Sequence, residues 1–88
     1  MKKYTFNKSV YMVERLNVEI FLFNAGESMM YSFKNSGLII IQGLRKGLGK
    51  KDIIKNLVSL YHISKEMAVR DFDSFVQKLI KIKILYEA

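Results

Sequence analysis

Catalysis needs groups that converge, and this 88-residue chain offers few candidates. It has no cysteine and a single histidine, His62, which stands between Tyr61 and Ile63 with no second ligand at metal-binding spacing. His62 therefore reads as a turn residue, solvated or bonded to its own neighbourhood. Asp71 and Asp73 are two positions apart on a helical pattern, so their carboxyls diverge and cannot divide acid and base roles between them. They read as surface charges near Arg70 and Lys78. Gly43, Gly47 and Gly49 precede Lys50 and Lys51, which hints at a phosphate loop. The spacing is not that of a P-loop and no strand precedes it, so a helix stop is the better reading. No nucleophile has a base beside it. Neither an enzyme nor a bound metal or other cofactor is expected.

What remains is the chemistry of binding. A formal charge of +7 and a pI near 9.7 favour polyanions or acidic partners, although the cations are spread along the chain and form no block. Half of the residues are apolar, enough for a folded core, and residues 1–88 are expected to form a single domain of modest stability. There are no prolines, repeats or low-complexity tracts to mark a linker. The basic start Met1-Lys2-Lys3 is not followed by an apolar segment, and the longest apolar run is the four residues 38–41. Neither a secretory signal nor a membrane span is expected, and the cytoplasm is the expected compartment.

The elements that must position a binding surface come in a telling order. Three strand-like runs, residues 10–16, 18–23 and 28–33, precede a stretch that is helix-like to its end. The fold class is α+β: an N-terminal three-stranded antiparallel sheet followed by a three-helix, winged-helix-like bundle. In the second run Val18, Ile20 and Leu22 alternate with Glu19, Phe21 and Phe23, apolar on both faces as a central strand would be. Asn24-Ala25-Gly26-Glu27 offers residues that tolerate a left-handed backbone, and the third run sorts Met29, Tyr31 and Phe33 against Ser28, Met30 and Ser32. Asn35 or Ser36 should cap the first helix, which carries Leu38, Ile40, Ile41 and Leu44 and stops at Gly47 and Gly49. A second helix carries Ile53, Ile54, Leu57, Val58, Leu60 and Tyr61, with Asp52 in its first turn and His62 closing it. Ser64 caps a third helix, residues 64–82, with Ala68, Phe72, Phe75, Val76, Leu79 and Ile80 as its stripe. Ile82, Ile84 and Leu85 then lead the tail back onto the core.

A sheet placed ahead of a bundle leaves its last strand with no partner in its own chain, and an unpaired edge is a docking site for another backbone. Met29, Met30, Tyr31 and Phe33 add more apolarity there than a small sheet needs. Methionine suits a surface that must adapt to its guest.

From about residue 10 to residue 87 the chain resembles the PqqD-like domains, the leader-binding modules known as RiPP recognition elements. Two stretches carry the resemblance. Phe33-Lys34-Asn35-Ser36-Gly37-Leu38-Ile39-Ile40 is similar to the family's junction of an aromatic or Leu followed by Asn-x-[Ser/Thr]-Gly-x-x-[Ile/Leu], with one residue of slack at Lys34. Tyr61-His62-Ile63-Ser64-Lys65-Glu66, with Ala68-Val69-Arg70-Asp71-Phe72 and Phe75-Val76-Gln77-Lys78-Leu79, resembles the opening and stripe of the family's last helix. Two positions depart from the pattern. Gly49 and Lys50 stand where a Thr cap and an apolar residue are usual, and Lys83 stands where a Gly ends the last helix.

The resemblance implies that the N-terminal leader of a ribosomally made precursor peptide adds to the third strand as a further antiparallel strand, against the last helix. The backbone of Met29, Met30, Tyr31, Ser32 and Phe33 would then carry the ladder, Met29, Tyr31, Val69, Phe72 and Phe75 would wall the pocket, and Arg70 and Lys78 would meet acidic leader residues. A small protein of this kind resembles the stand-alone recognition proteins of lasso-peptide pathways, which hand the precursor to a partner peptidase. It also resembles those that serve a radical enzyme in redox-cofactor synthesis; the lasso type is favoured. The free edge also allows an edge-strand homodimer. The competing class is a basic winged-helix DNA binder, which the charge favours. The scattered cations of the last helix, and strands that precede all the helices, disfavour nucleic acid. A small acyl-carrier or peptide-modifying enzyme lacks its nucleophile and base.

Overall fold

A computed structural model describes residues 3–87; Met1, Lys2 and Ala88, which the sequence reading assigned to the same domain, lie outside them. Strands β1 (Tyr4–Phe6), β2 (Val10–Arg15), β3 (Glu19–Asn24) and β4 (Met29–Lys34) come first, then helices α1 (Asn35–Arg45), α2 (Lys50–Tyr61) and α3 (Lys65–Lys81), and last β5 (Leu85–Glu87). The architecture is α+β, with the expected antiparallel sheet in the order β2-β3-β4 ahead of three helices.

Two strands were not anticipated. β1 and β5 pair antiparallel as a separate two-stranded sheet, Phe6 opposite Leu85 and Tyr4 opposite Glu87. Each has three residues, too few for alternation to be read in sequence. Side-chain amides fasten this pair to the rest of the chain. Asn7 Nδ2 donates to the Lys83 carbonyl at 2.9 Å, and the buried Asn24 Nδ2 donates to the same oxygen at 3.3 Å while its Oδ1 accepts the Glu27 N–H.

The three-stranded sheet turns one face to the helices. Register places Ile20 opposite Phe33, Leu22 opposite Tyr31 and Asn24 opposite Met29 on that face. Ile20, Leu22 and Phe33 join Ile40, Ile41, Ile53, Leu57, Phe72, Leu79 and Leu85 in one core. Gly43, deep in α1, lets α2 approach: a Cβ there would stand 2.6 Å from Ile53 Cγ1. Its role is packing, and Gly47, at φ +79°, supplies the helix stop.

Capping explains the remaining boundaries, with one correction. Neither Asn35 nor Ser36 caps α1. The cap position falls on Lys34, whose side chain makes no capping bond. Asn35 instead takes a left-handed backbone, φ 55°, which turns the chain from β4 into the helix; asparagine tolerates that conformation better than most residues. In the β3–β4 turn the left-handed residue is Ser28 (φ 53°), one position after the stretch expected to supply it. His62 closes α2 in left-handed geometry, its N–H donating to Val58 O at 3.0 Å, and Ser64 Oγ accepts the Met67 N–H at 3.1 Å to open α3. Lys83 carries out the left-handed termination for which glycine is usual: φ is 62°, its N–H donates to Ile80 O, and the Ile84 N–H reaches back to Leu79 O. That is the paired hydrogen-bond pattern of a Schellman ending, built on a lysine.

Candidate peptide-binding edge

The sheet has two outer strands, β2 and β4, and different surroundings separate them. Beside β2 the inner-face Glu14 is bridged to the end of α1, with its carboxylate 3.2 Å from Arg45 Nη1. Beside β4 the bridge is aromatic. The Phe33 ring meets the Phe75 ring of α3 edge to face at 5.2 Å, and Lys78 Nζ lies 5.7 Å from the Phe33 centroid. β4 pairs only with β3 among the described residues, so its other row of N–H and C=O groups faces outward along this aromatic wall.

The strand's alternation decides what each residue can contribute. Met29, Tyr31 and Phe33 share the inner face, with Met29 exposed, Tyr31 half-buried and Phe33 buried. Tyr31 and Phe33 lie ring to ring, their centroids 6.4 Å apart and nearly parallel. The wall is therefore graded, greasiest at the α1 end and open at the turn. Met30 and Ser32 point to the opposite face, where Ser32 Oγ–H donates to Glu19 Oε2 at 2.9 Å. Toward the helix wall they offer a guest strand their backbone alone.

On α3 the structure brings together part of the expected set. Phe75 and Lys78 face β4. Phe72 does not: it is 1% exposed, packed in the core, with Lys50 Nζ 5.6 Å from its ring centroid. It also borders a cavity of about 400 Å³ shared with Tyr4, Leu44 and Lys50, so its open side faces the α1–α2 loop. At about 100° per residue, Val69 lies roughly 120° around the helix from Phe75, and Arg70 about 140°. Val69 therefore shares the flank of Asp73, which is held by Lys50 at 2.8 Å, and Arg70 points to solvent away from β4. Spacing along a helix groups Phe72 and Phe75 as neighbours, but only a known docking partner fixes which flank each one serves.

Two contributors escaped the sequence reading. Asp71 lies one turn before Phe75 on the same flank, exposed and with no ion pair among the described residues, so the wall presents a carboxylate as well as the Lys78 cation. Gly37 lies beneath Phe75: a Cβ there would stand 3.0 Å from the ring's Cε1 and Cζ. The glycine of the strand-to-helix junction is thus a seat for the aromatic wall, and the junction motif was the signal that could have shown it.

No family model matches the chain, and no curated protein matches it. Two solved structures align with nearly all of it. One is TbiB1 in complex with the TbiA(β) leader peptide, at 17% identity and TM-score 0.86 over 92% of this chain and 93% of that one. The other is a lasso peptide synthetase B1 complexed with the leader peptide, at 17% identity and TM-score 0.86 over 96% and 98%. In fold, this chain is the counterpart of two proteins that were each solved holding a leader peptide.

Proposed function

We propose that this chain is a non-catalytic, PqqD-like recognition domain that binds the leader of a ribosomally made precursor peptide. The guest strand adds antiparallel to β4, and a separate processing enzyme in the cytoplasm, of the lasso-peptide type, then takes up the captured precursor. The observation that carries the reading is the outward edge of β4 beside the Phe33, Phe75 and Lys78 wall. Main-chain ladder bonds supply affinity with little regard to sequence, and the wall supplies selection. Likeness of fold to two leader-bound proteins supports the same reading.

Titration with synthetic leaders of candidate precursors, followed by amide chemical shifts, tests it. Saturable shifts at residues 29–33 and around Phe75 are expected for the cognate leader, at sub-micromolar Kd or roughly −8 kcal/mol and better. Shifts confined to other surfaces, or binding to duplex DNA with steep salt dependence and no peptide response, would falsify the proposal.

A further inference from the structure

Among the described residues nothing covers the face of the three-stranded sheet turned away from the helices, and much of it is apolar. Register places Tyr11 opposite Phe23, Val13 opposite Phe21 and Phe23 opposite Met30 on this side. Tyr11 is 65% exposed, Val13 63%, Met30 67% and Phe23 39%. The β2–β3 turn continues the patch with Leu16 and Val18, both well exposed. A half-covered antiparallel sheet ordinarily alternates apolar inside with polar outside, and this one departs from that rule on β2, β3 and at Met30, while Arg15, Glu19, Ser32 and Lys34 keep to it. Six exposed apolar residues thus gather on one side of a small chain, and clustered apolar exposure of this kind marks an interaction surface.

We infer that this outer sheet face docks the processing enzyme through an apolar contact surface edged by carboxylates. Two features select that occupant over a second copy of the chain. First, the patch includes Met30 on β4, the strand whose free edge is proposed to receive the leader. An added leader strand would extend the same face, and its outward side chains would stand beside Met30 and Ser32. A partner landing there touches recognition domain and leader together, and so binds the loaded form better than the empty one. Second, the margin is cationic. Arg15 and Lys34, both well exposed, flank the single shielded carboxylate of Glu19 at 4.0 and 3.9 Å, leaving a net positive edge on a chain of charge +7. Two such chains face to face would repel, whereas an acidic rim on a partner would be attracted. The inference rests on the leader-binding reading for its choice of partner and is tested separately from it.

The test uses the full chain, the leader peptide and the processing enzyme of the same pathway. Val13→Asp and Tyr11→Asp place carboxylates on β2, two strands from the β4 edge; Val13→Ser is the milder companion if an Asp variant fails to melt cooperatively. Leader affinity should stay within about twofold of wild type, while enzyme association weakens about tenfold or more and precursor turnover at limiting enzyme falls with it. Wild-type chain should bind the enzyme more tightly with leader present than without. Enzyme association that is unchanged in Val13→Asp and Val13→Ser overturns the inference. So does a wild-type dimer in sedimentation that Val13→Asp dissolves, or binding to phosphatidylglycerol vesicles through the same residues with none to the enzyme. If wild type fails to bind leader, the proposed function falls, whereas intact leader binding with an indifferent outer face strikes this inference alone.

Discussion

Phe75 stands edge-on to Phe33 with the ring planes 88° apart, and the pair braces α3 against the edge strand at the depth where a guest backbone would enter. Gly37 makes that position available to the Phe75 ring. A methyl at residue 37 should gain up to about 1 kcal/mol of helix propensity and lose ~1–3 kcal/mol to overpacking against the ring. Gly37→Ala is therefore expected to destabilise the chain by about 1 kcal/mol. In a Phe75→Leu background the steric conflict is relieved and the same substitution should be neutral or stabilising. Denaturant melts of the two single variants and the double variant measure this change of sign, and additive effects would show that the ring and the glycine are not coupled.

Tyr31 and Phe72 were both expected to wall the pocket, and the structure separates them. Tyr31 is half-buried on the inner face of β4, whereas Phe72 is sealed in the core on the side of Lys50. Tyr31→Lys should weaken leader binding by ~1–3 kcal/mol with little change in melting. Phe72→Ala should cost ~3–5 kcal/mol of stability, so it is best read as Phe72→Leu, which costs less and should leave leader affinity near wild type. Calorimetric titration of both variants decides the matter, and a large loss of affinity in folded Phe72→Leu would place that ring in the pocket after all.

The same separation applies to the two cations. Lys78 Nζ sits over Phe33 at the wall, and Arg70 points away. Lys78→Gln should weaken an acidic leader by roughly 0.5–1 kcal/mol at low salt, a difference that fades toward 1 M salt as screening shortens to ~3 Å. Arg70→Gln should change leader affinity by less than half as much. Asp71, on the Lys78 flank, supplies the opposite sign: Asp71→Asn should favour acidic leaders and disfavour basic ones. Affinities at two salt concentrations for the three variants check the pattern.

Much of this arrangement could be read from residues, and the reasons for the failures are specific. Alternation in residues 18–23 identified a central strand because Ile20 and Leu22 face the core while Phe21 and Phe23 remain apolar on the far side. The pattern says nothing of what lies over the far face, which no element among the described residues covers. Ser64 and His62 act as read because capping and left-handed closure are local events. Asn35 was misassigned because asparagine both caps and tolerates positive φ, and sequence does not say which property is in use. β1 and β5 were invisible because their pairing depends on residues about eighty positions apart in a three-residue ladder. Phe72 is buried away from the edge strand, and helical phase turns Val69 and Arg70 from the Phe75 flank, for a common reason: phase groups residues on a face but does not say which neighbour that face meets.

The end of α3 offers a stability test that reaches the binding edge. Lys83 holds φ 62° with a β-carbon, a conformation that costs roughly 1–2 kcal/mol for an L-residue, and its ammonium makes an exposed ion pair with Glu27 at 3.2 Å. Lys83→Gly removes the strain, gives back part of the gain as unfolded-state entropy of about 0.5–1 kcal/mol, and loses an ion pair worth well under ~1 kcal/mol. A net gain of about 0.5 kcal/mol is expected, with Glu27→Gln as the control that isolates the ion pair. Asn24→Ala should act oppositely. It strips the buried bridge between the Lys83 carbonyl and the Glu27 N–H, costing ~1–3 kcal/mol, and it releases the turn that leads into Met29 at the start of β4. Leader affinity should therefore fall in Asn24→Ala and hold in Lys83→Gly. Melting curves paired with leader titrations measure both, and a fall in affinity for Lys83→Gly would mean that the lysine itself, and not the turn it anchors, serves the guest strand.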